Sequence, residues 1–286
     1  MSAIEGRSLW QDAFVRLRRN RAATVSGVLL TLLLLACLLA PFYSPYTFDQ
    51  IDFEQVATPP SLETGHIFGT DAVGRDLFVR TFAGGRVSLM VGVVATLVSL
   101  VVGVIWGAVA GYFGGRVDAV MMRIVDILYA LPFMFLVILL MVLFGRHLLL
   151  IFVAIGLINW LDMARIVRGQ TLALRHREFV DAARLAGVSD TDILLRHIVP
   201  NLLGVVVVFV TLTIPQVILT ESFLSFLGLG VQEPATSWGA LVNDGAADME
   251  SAPWALLFPA SFLALTLFCF NFLGDGLRDA LDPKDR

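Results

Sequence analysis

Six stretches of the chain are apolar over roughly the twenty residues that a bilayer-spanning helix needs, and polar, turn-rich segments separate them. The pattern predicts spans at 24–43, 87–111, 120–144, a fourth from just after 145–147 to about 167, 201–223 and 254–273. Gly145-Arg146-His147 leaves room only for a tight turn between the third and fourth. Pro132, Pro215 and Pro259 fall inside the third, fifth and sixth spans, where neighbouring groups can satisfy the carbonyls that a proline frees. The first span follows Arg16, Arg18, Arg19 and Arg21. It is long for a signal peptide, and Leu38-Leu39-Ala40 matches the small-residue cleavage pattern poorly, so it is expected to stay as an anchor.

Composition supports the same class. Charged residues are 15% of the 286, against about 25% in ordinary soluble domains, hydrophobic residues are 57%, and mean hydropathy is +0.82. That balance argues against a disordered chain, a disulfide scaffold and a nucleic-acid-binding domain, and a net charge of −4 implies no nucleic-acid partner. Cys37 and Cys269 both sit in apolar runs and read as small packed or lipid-facing residues. The basic residues divide unevenly between the loops. With the amino terminus inside, 16 fall on the inner side, and only Arg75, Arg80, Arg86 and Arg146 fall outside. The positive-inside bias therefore predicts both termini in the cytoplasm. Lys284 is the sole lysine and follows no glycine-rich loop, so the chain carries no Walker-type ATP site.

The expected domains follow: a cytoplasmic tail at 1–23, the first span at 24–43, an external loop at 44–86, a five-helix core at 87–280 and a cytoplasmic tail at 281–286. A second external loop, 225–253, carries Glu233, Asp244, Asp248 and Glu250 and no basic residue. The apolar Phe226-Leu227-Gly228-Leu229-Gly230 suggests that it folds partly back toward the membrane. The inner segment 168–200 is the most informative. Residues 171–186 read as one helix, Gly187 as its left-handed cap, and Ser189 with Asp192 as the start of a second helix that Pro200 leads into the fifth span. Spacing alone leaves two readings of this segment, a partner-docking element and a plain connection.

Asp181-Ala182-Ala183, Gly187 and Pro200, thirteen residues beyond that glycine, resemble the cytoplasmic "EAA" loop of binding-protein-dependent ABC importer permeases. Asp181 stands where glutamate is usual, His197 where isoleucine is and Val199 where leucine is. Four further segments are similar to the C-type membrane subunit of oligopeptide and dipeptide permeases. They are Phe68-Gly69-Thr70-Asp71 with Gly74-Arg75-Asp76, Gly111-Tyr112-Phe113-Gly114-Gly115 with Asp118, Leu227-Gly228-Leu229-Gly230 with Ser237-Trp238-Gly239, and Leu273-Gly274-Asp275-Gly276 with Leu281-Asp282-Pro283. The resemblance implies an all-α membrane protein with the type I ABC importer permease fold in a bacterial cytoplasmic membrane. It implies a homologous permease partner, two cytoplasmic ATPases that hold ATP and Mg²⁺, and an external peptide-binding protein. This chain would itself be non-catalytic and bind no cofactor.

On that resemblance, the ATPase-coupling segment opens with Arg177 and Glu178, Asp181, Arg184 and Asp190 would make polar contacts with an ATPase, Ala182 and Ala183 would allow close packing, Gly187 would permit the turn, and Pro200 ends the segment. Polar residues in spans are expensive and face protein or water, which makes Asn159, Asp162, Thr211, Thr213, Gln216 and Glu221 candidates for the translocation path or a subunit interface. Helix packing competes with that role at each. Asp126 reads as a partner of Arg123 or Arg165. Gly103, Gly107 and Gly111 form a small-residue stripe suited to close packing. No residue looks catalytic, and His66, His147, His176 and His197 show no metal-ligand spacing. Nickel or glutathione import on the same architecture is the alternative, ahead of an ATP-independent channel or secondary transporter, for which the inner segment would have no use.

Overall fold

A computed structural model describes residues 9–145 and 148–281. Arg146 and His147 of the expected turn lie outside the described residues, as do residues 1–8 and 282–286, Lys284 included. The described chain is helical: α1 (Leu9–Arg19), α2 (Arg21–Tyr43), α3 (Leu77–Phe113), α4 (Gly115–Ala130), α5 (Phe133–Phe144), α6 (Leu148–Leu174), α7 (Glu178–Leu185), α8 (Asp190–Asp192), α9 (Val199–Phe226), α10 (Trp238–Ala247) and α11 (Pro253–Leu281). A π-helical turn, Ile193–Ile198, joins α8 to α9 without a break. Among the described residues four stretches are long and apolar enough to cross a membrane singly, α2, α3, Asp190–Phe226 and α11, and the bent α4–α5 pair makes a fifth if it is counted as one span.

Two small-residue faces bring α3 and α6 together. A methyl group added at Gly103 would stand 2.5 Å from the Met163 side chain, at Gly107 2.4 Å from the Ala164 carbonyl and at Gly111 2.7 Å from Thr171, while one at Gly156 would meet Val98 at 3.0 Å. The glycine stripe is therefore a packing seam along which the two backbones nearly touch. Residue numbers rise together along it, so α3 and α6 run in the same direction. The chain can do this only because α4 and α5 carry it back between them. Helix α9 runs the opposite way, with Ile218 against Gly92 and Leu202 in one apolar cluster with Ala108 and Tyr112.

The third apolar stretch is not one helix. Leu131 adopts extended backbone (φ −75°, ψ 131°), and α4 and α5 meet at 85°. Proline lacks the N–H that would continue the ladder and disfavours helical geometry in the residue before it. Pro215 and Pro259 stay inside α9 and α11 and are buried. The second stretch starts earlier than its apolar run, because Asp76 caps α3 by accepting from the Val79 N–H at 2.9 Å. Arg80 and Arg86 thus belong to a helix, although the hydropathy pattern put them in a loop.

The segment between α2 and α3 folds onto the amino-terminal end of α3. His66, stacked on Tyr46, bonds the buried Asp76 at 2.8 Å, and Phe68 stacks on Phe258 of α11 at 4.1 Å. Arg75 joins Asp71 at 2.7 Å to Glu233 of the α9–α10 connection at 2.5 Å, so one guanidinium clasps two distant loops. Within the second loop, α10 is tucked inward. Trp238 is fully buried, its backbone N–H donates to Ser88 Oγ at 3.1 Å, and its indole N–H donates to the Thr81 carbonyl at 2.9 Å.

Gly107→Ala should force the seam apart. Overpacking of this kind costs about 1–3 kcal/mol, and thermal unfolding of the purified protein in detergent should show a lowered midpoint. The Arg75 hydrogen bond holds the Glu233 carboxyl below the usual carboxylate range. A depressed value adds stability above the ordinary carboxylate value, and that stability is lost as pH falls from there through the lower folded one. Glu233 is 67% exposed, so the clasp contributes under about 1 kcal/mol. Glu233→Gln should raise the opening of the 228–236 loop at pH 7, read as amide exchange relative to the intrinsic rate, and abolish the further rise in opening that acid produces in the parent protein.

Candidate functional site

The part of the 168–200 segment that leaves the long helices begins where α6 stops. Leu174 ends that helix and Arg177 opens α7, so the expected single helix over 171–186 is two, with a bend at 175–177. Arg175 accounts for the bend. Its guanidinium turns back to the Gly111 carbonyl at 3.2 Å, at the carboxyl-terminal end of α3, where a cation meets the negative end of the helix dipole. Helix α7 then carries Glu178 and Asp181 in its first turn and Arg184 in its last, the arrangement its own dipole favours. Gly187, at φ +76°, closes it: the Val188 N–H reaches the Ala183 carbonyl at 3.1 Å and the Gly187 N–H reaches Arg184 at 3.0 Å. Nothing lies within 4 Å of a side chain added at Gly187, so backbone geometry, and not space, selects glycine there. Ser189 caps the next helix, accepting from the Asp192 N–H at 3.2 Å.

This element is anchored on one side and open on the other. Val180 and Ala183 are buried in a cluster with Tyr112, Val167, Ile193, Ile198 and Leu202, which ties α7 to α3, α6 and the root of α9. Tyr112 donates its hydroxyl to Asp190 at 2.6 Å and lies under the Arg184 guanidinium at 5.4 Å. On the opposite face Arg177, Glu178, Asp181, Ala182 and Arg184 are exposed, with Asp181 and Arg184 paired at 3.3 Å. Phe179 is 39% exposed and Leu185 90%. Those two apolar groups escaped the sequence reading, although both fall off the buried face that Val180 and Ala183 define. Ala183, expected to meet a partner, instead packs inward, and Asp190 is engaged by Tyr112. Pro200 lies exposed in the first turn of α9.

The polar residues of the spans divide. Thr211 and Thr213 donate to carbonyls four residues back, Val207 at 2.9 Å and Phe209 at 2.8 Å, so each hydroxyl is satisfied within its own helix. Asn159 does the same with Ile155 at 2.9 Å, and Gln216 is exposed. Glu221 is fully buried; Ser225 donates to it at 2.7 Å and Ser88 at 3.2 Å. Ser225 also meets Ser237 at 3.3 Å, and Ser88 holds the Trp238 N–H, so the glutamate sits in a knot that joins α3, α9 and α10. Asp162 accepts from the Tyr129 hydroxyl at 2.5 Å. Beside it Asp126 pairs with Arg165 at 2.9 Å, and one turn further Asp118 takes Arg168 through two bonds of 2.8 and 2.6 Å.

Comparison with known proteins bears out the family that the motifs suggested. Residues 103–286 match the model described as "Binding-protein-dependent transport system inner membrane component", and residues 8–60 match "N-terminal TM domain of oligopeptide transport permease C". The chain is 62% identical over 283 residues to the oligopeptide transport system permease protein OppC of Escherichia coli K12, covering 99% of this chain and 94% of that one. It is 57% identical to the OppC of Haemophilus influenzae, covering 99% and 91%, and 48% identical to the dipeptide transport system permease protein DppC of Bacillus subtilis, covering 98% and 87%. A chain from the inward-facing MetNI methionine ABC transporter superposes with a TM-score of 0.58 at 19% identity, over 72% of this chain and 96% of that one, which bears out the type I ABC importer permease fold. By its sequence over well more than half its length, the chain belongs to the family of binding-protein-dependent transport system inner membrane components, a family of membrane permease subunits.

Proposed function

We propose that this chain is one of the two membrane permease subunits of an ATP-driven importer of di- or oligopeptides. The observation that carries the coupling half of this reading is the two-faced inner segment. Its underside is fixed in the apolar cluster on α3, α6 and α9, so a push on α7 is transmitted to three long helices at once. Its outer face offers Phe179, Leu185 and a row of charged groups to a soluble partner. The partner is one of two cytoplasmic ATPases, which hold ATP and Mg²⁺ and contact Arg177, Glu178, Asp181, Ala182 and Arg184. Gly187 sets the angle of the element, and Asp190, through Tyr112, fixes it to α3. Closure of the ATPase pair moves this element and rocks the spans between two packed arrangements. The peptide substrate comes by likeness to the OppC and DppC relatives, whose names specify oligopeptide and dipeptide transport.

Six crossings, with both termini in the cytoplasm, fit the ends of the helices. Arg86, near the start of α3, bonds the Cys37 and Leu38 carbonyls near the end of α2, each at 2.7 Å, and Trp254, near the start of α11, bonds Thr70 at 3.0 Å. At the opposite end Gly276 of α11 lies against Ala23 and Asn20, so the first and last helices start and finish on one side. Counting α6 and the α4–α5 pair as one span each supports six. On this topology 44–76 and 227–252 face outward, toward a peptide-binding protein, and a homologous permease completes the path.

Gly187→Arg should leave the chain inserted and assembled, with ATP hydrolysis continuing and peptide uptake lost. Gly187→Asn, which tolerates the left-handed conformation, should keep most of the uptake. Proteoliposomes holding the whole complex check both, and normal uptake by the arginine variant would refute the role of the turn. Leu185→Asp should weaken ATPase binding by about tenfold or more, through loss of a buried leucine contact of roughly 1.5–3 kcal/mol. Titration of ATPase onto the reconstituted membrane pair measures it.

A further inference from the structure

The bend between α4 and α5 leaves a cleft that neither the packing seam nor the inner segment uses. It encloses about 270 Å³ against α6, between walls that include Leu128, Leu131, Phe133, Leu157 and Leu161. Asp162 is the one charged group in its wall. The Tyr129 hydroxyl occupies its Oδ1, and among the described residues no arginine or lysine pairs with it. Arg165, the nearest cation along the helix, is committed elsewhere: it bonds Asp126 at 2.9 Å and lies over the Tyr129 ring at 4.2 Å. Among the described residues Oδ2 therefore has no hydrogen-bond partner, and no cation forms an ion pair with the carboxylate.

Asp162 stands fourteen residues after Leu148, about 21 Å along α6 at 1.5 Å per residue. A carboxylate within a spanning helix is retained where it meets water or a cation, not lipid. A helix break at membrane depth is likewise tolerated only where it is buried or lines a water-filled cavity. A carboxylate and a helix break that share one cleft at this depth both fit an aqueous passage there. Its chemistry then selects the occupant. One carboxylate with one hydroxyl supplies too few oxygens for a hard metal ion, which takes six or more. An anion is repelled. Apolar walls with one carboxylate at the edge suit a group that has an apolar body and a single positive end.

We infer that this cleft receives the amino-terminal residue of the transported peptide, with its ammonium group on Asp162 and its side chain against the leucines of α4 and α6. The inference rests on the peptide-importer reading and assigns to it a contact made within the membrane subunit. The space holds one bulky residue. A peptide entering this way would be gripped by its first residue and left free in length and composition beyond it.

The test uses the complete reconstituted transporter with its binding protein. Uptake of a free-amine peptide is compared with uptake of its N-acetylated counterpart, in the parent protein and in Asp162→Asn. The binding protein discriminates identically in both, so its contribution cancels between them. The asparagine can still accept from Tyr129 but offers no charge. A charged hydrogen bond of the usual strength predicts that the preference for the free amine falls about tenfold or more in the variant, with uptake of the acetylated peptide little changed. Equal loss for both peptides would overturn the inference and assign Asp162 to packing or to a cation of the homologous subunit. An unchanged preference would overturn it as well. In a second variant, Leu157→Phe, the narrowed cleft should reduce uptake of a peptide that begins with tryptophan several-fold relative to one that begins with alanine; an even effect on the two would refute the side-chain half. Failure of the parent protein to take up either peptide would instead count against the peptide-importer reading itself.

Discussion

The close approach of α3 and α6 is the constraint on which the rest of the structure depends. In lipid there is little hydrophobic drive to bring helices together, so association relies on backbone proximity and dispersion contact, and residues without bulk make both possible. Gly103, Gly107 and Gly111 remove the side chains that would hold α6 away, and Gly156 does the same from the α6 side near Val98. Because the two helices run in parallel, the chain must cross back between them, and α4–α5 is that return. The carboxyl-terminal ends of α3 and α6 consequently lie side by side, where Arg175 can cap Gly111 and where α7 finds an apolar floor.

That shared end gives the 175–200 segment its footing. A short helix of eight residues has little stability of its own. It holds its position because Val180 and Ala183 are buried, its final turn is closed by a Schellman pair, and Tyr112 reaches over from α3 to Asp190. Helix α7 is thereby tied to α3, α6 and α9 at once. At the other end of the same helices, buried serines around Glu221 and the Trp238 indole bind α10 into the gap between α3 and α9. Helices α3 and α9 run without a break between that knot and the end that carries α7.

The bend at Leu131–Pro132 is a departure from this continuity, and it is where polar chemistry collects. Tyr129, Asp162, Arg165 and Asp126 form a chain of contacts beside it. A straight helix would have covered the cleft with its own side chains. Pro215 and Pro259 are buried and leave their helices unbroken, whereas Pro132 is exposed at the bend.

Much was determined by the sequence itself, because hydropathy, capping and turn chemistry act over short range. The apolar runs, the left-handed Gly187, the Ser189 cap, the glycine stripe and the absence of a nucleotide-binding lysine can all be read without coordinates. The resemblance of Asp181-Ala182-Ala183 and its neighbours carried the family. Only the tertiary structure decided which face of each element is used. Ala183 and Ala182 are adjacent and chemically identical, yet one is buried and the other open, since a helix turns about 100° between them. Glu221 and Asp162 both read as costly polar groups in spans. One is enclosed by serines from three segments and the other is left at the lip of a cleft, because the partners lie 133 residues away in Ser88 and 33 residues away in Tyr129. Contacts over such separations depend on how helices are stacked, and local periodicity carries no record of it.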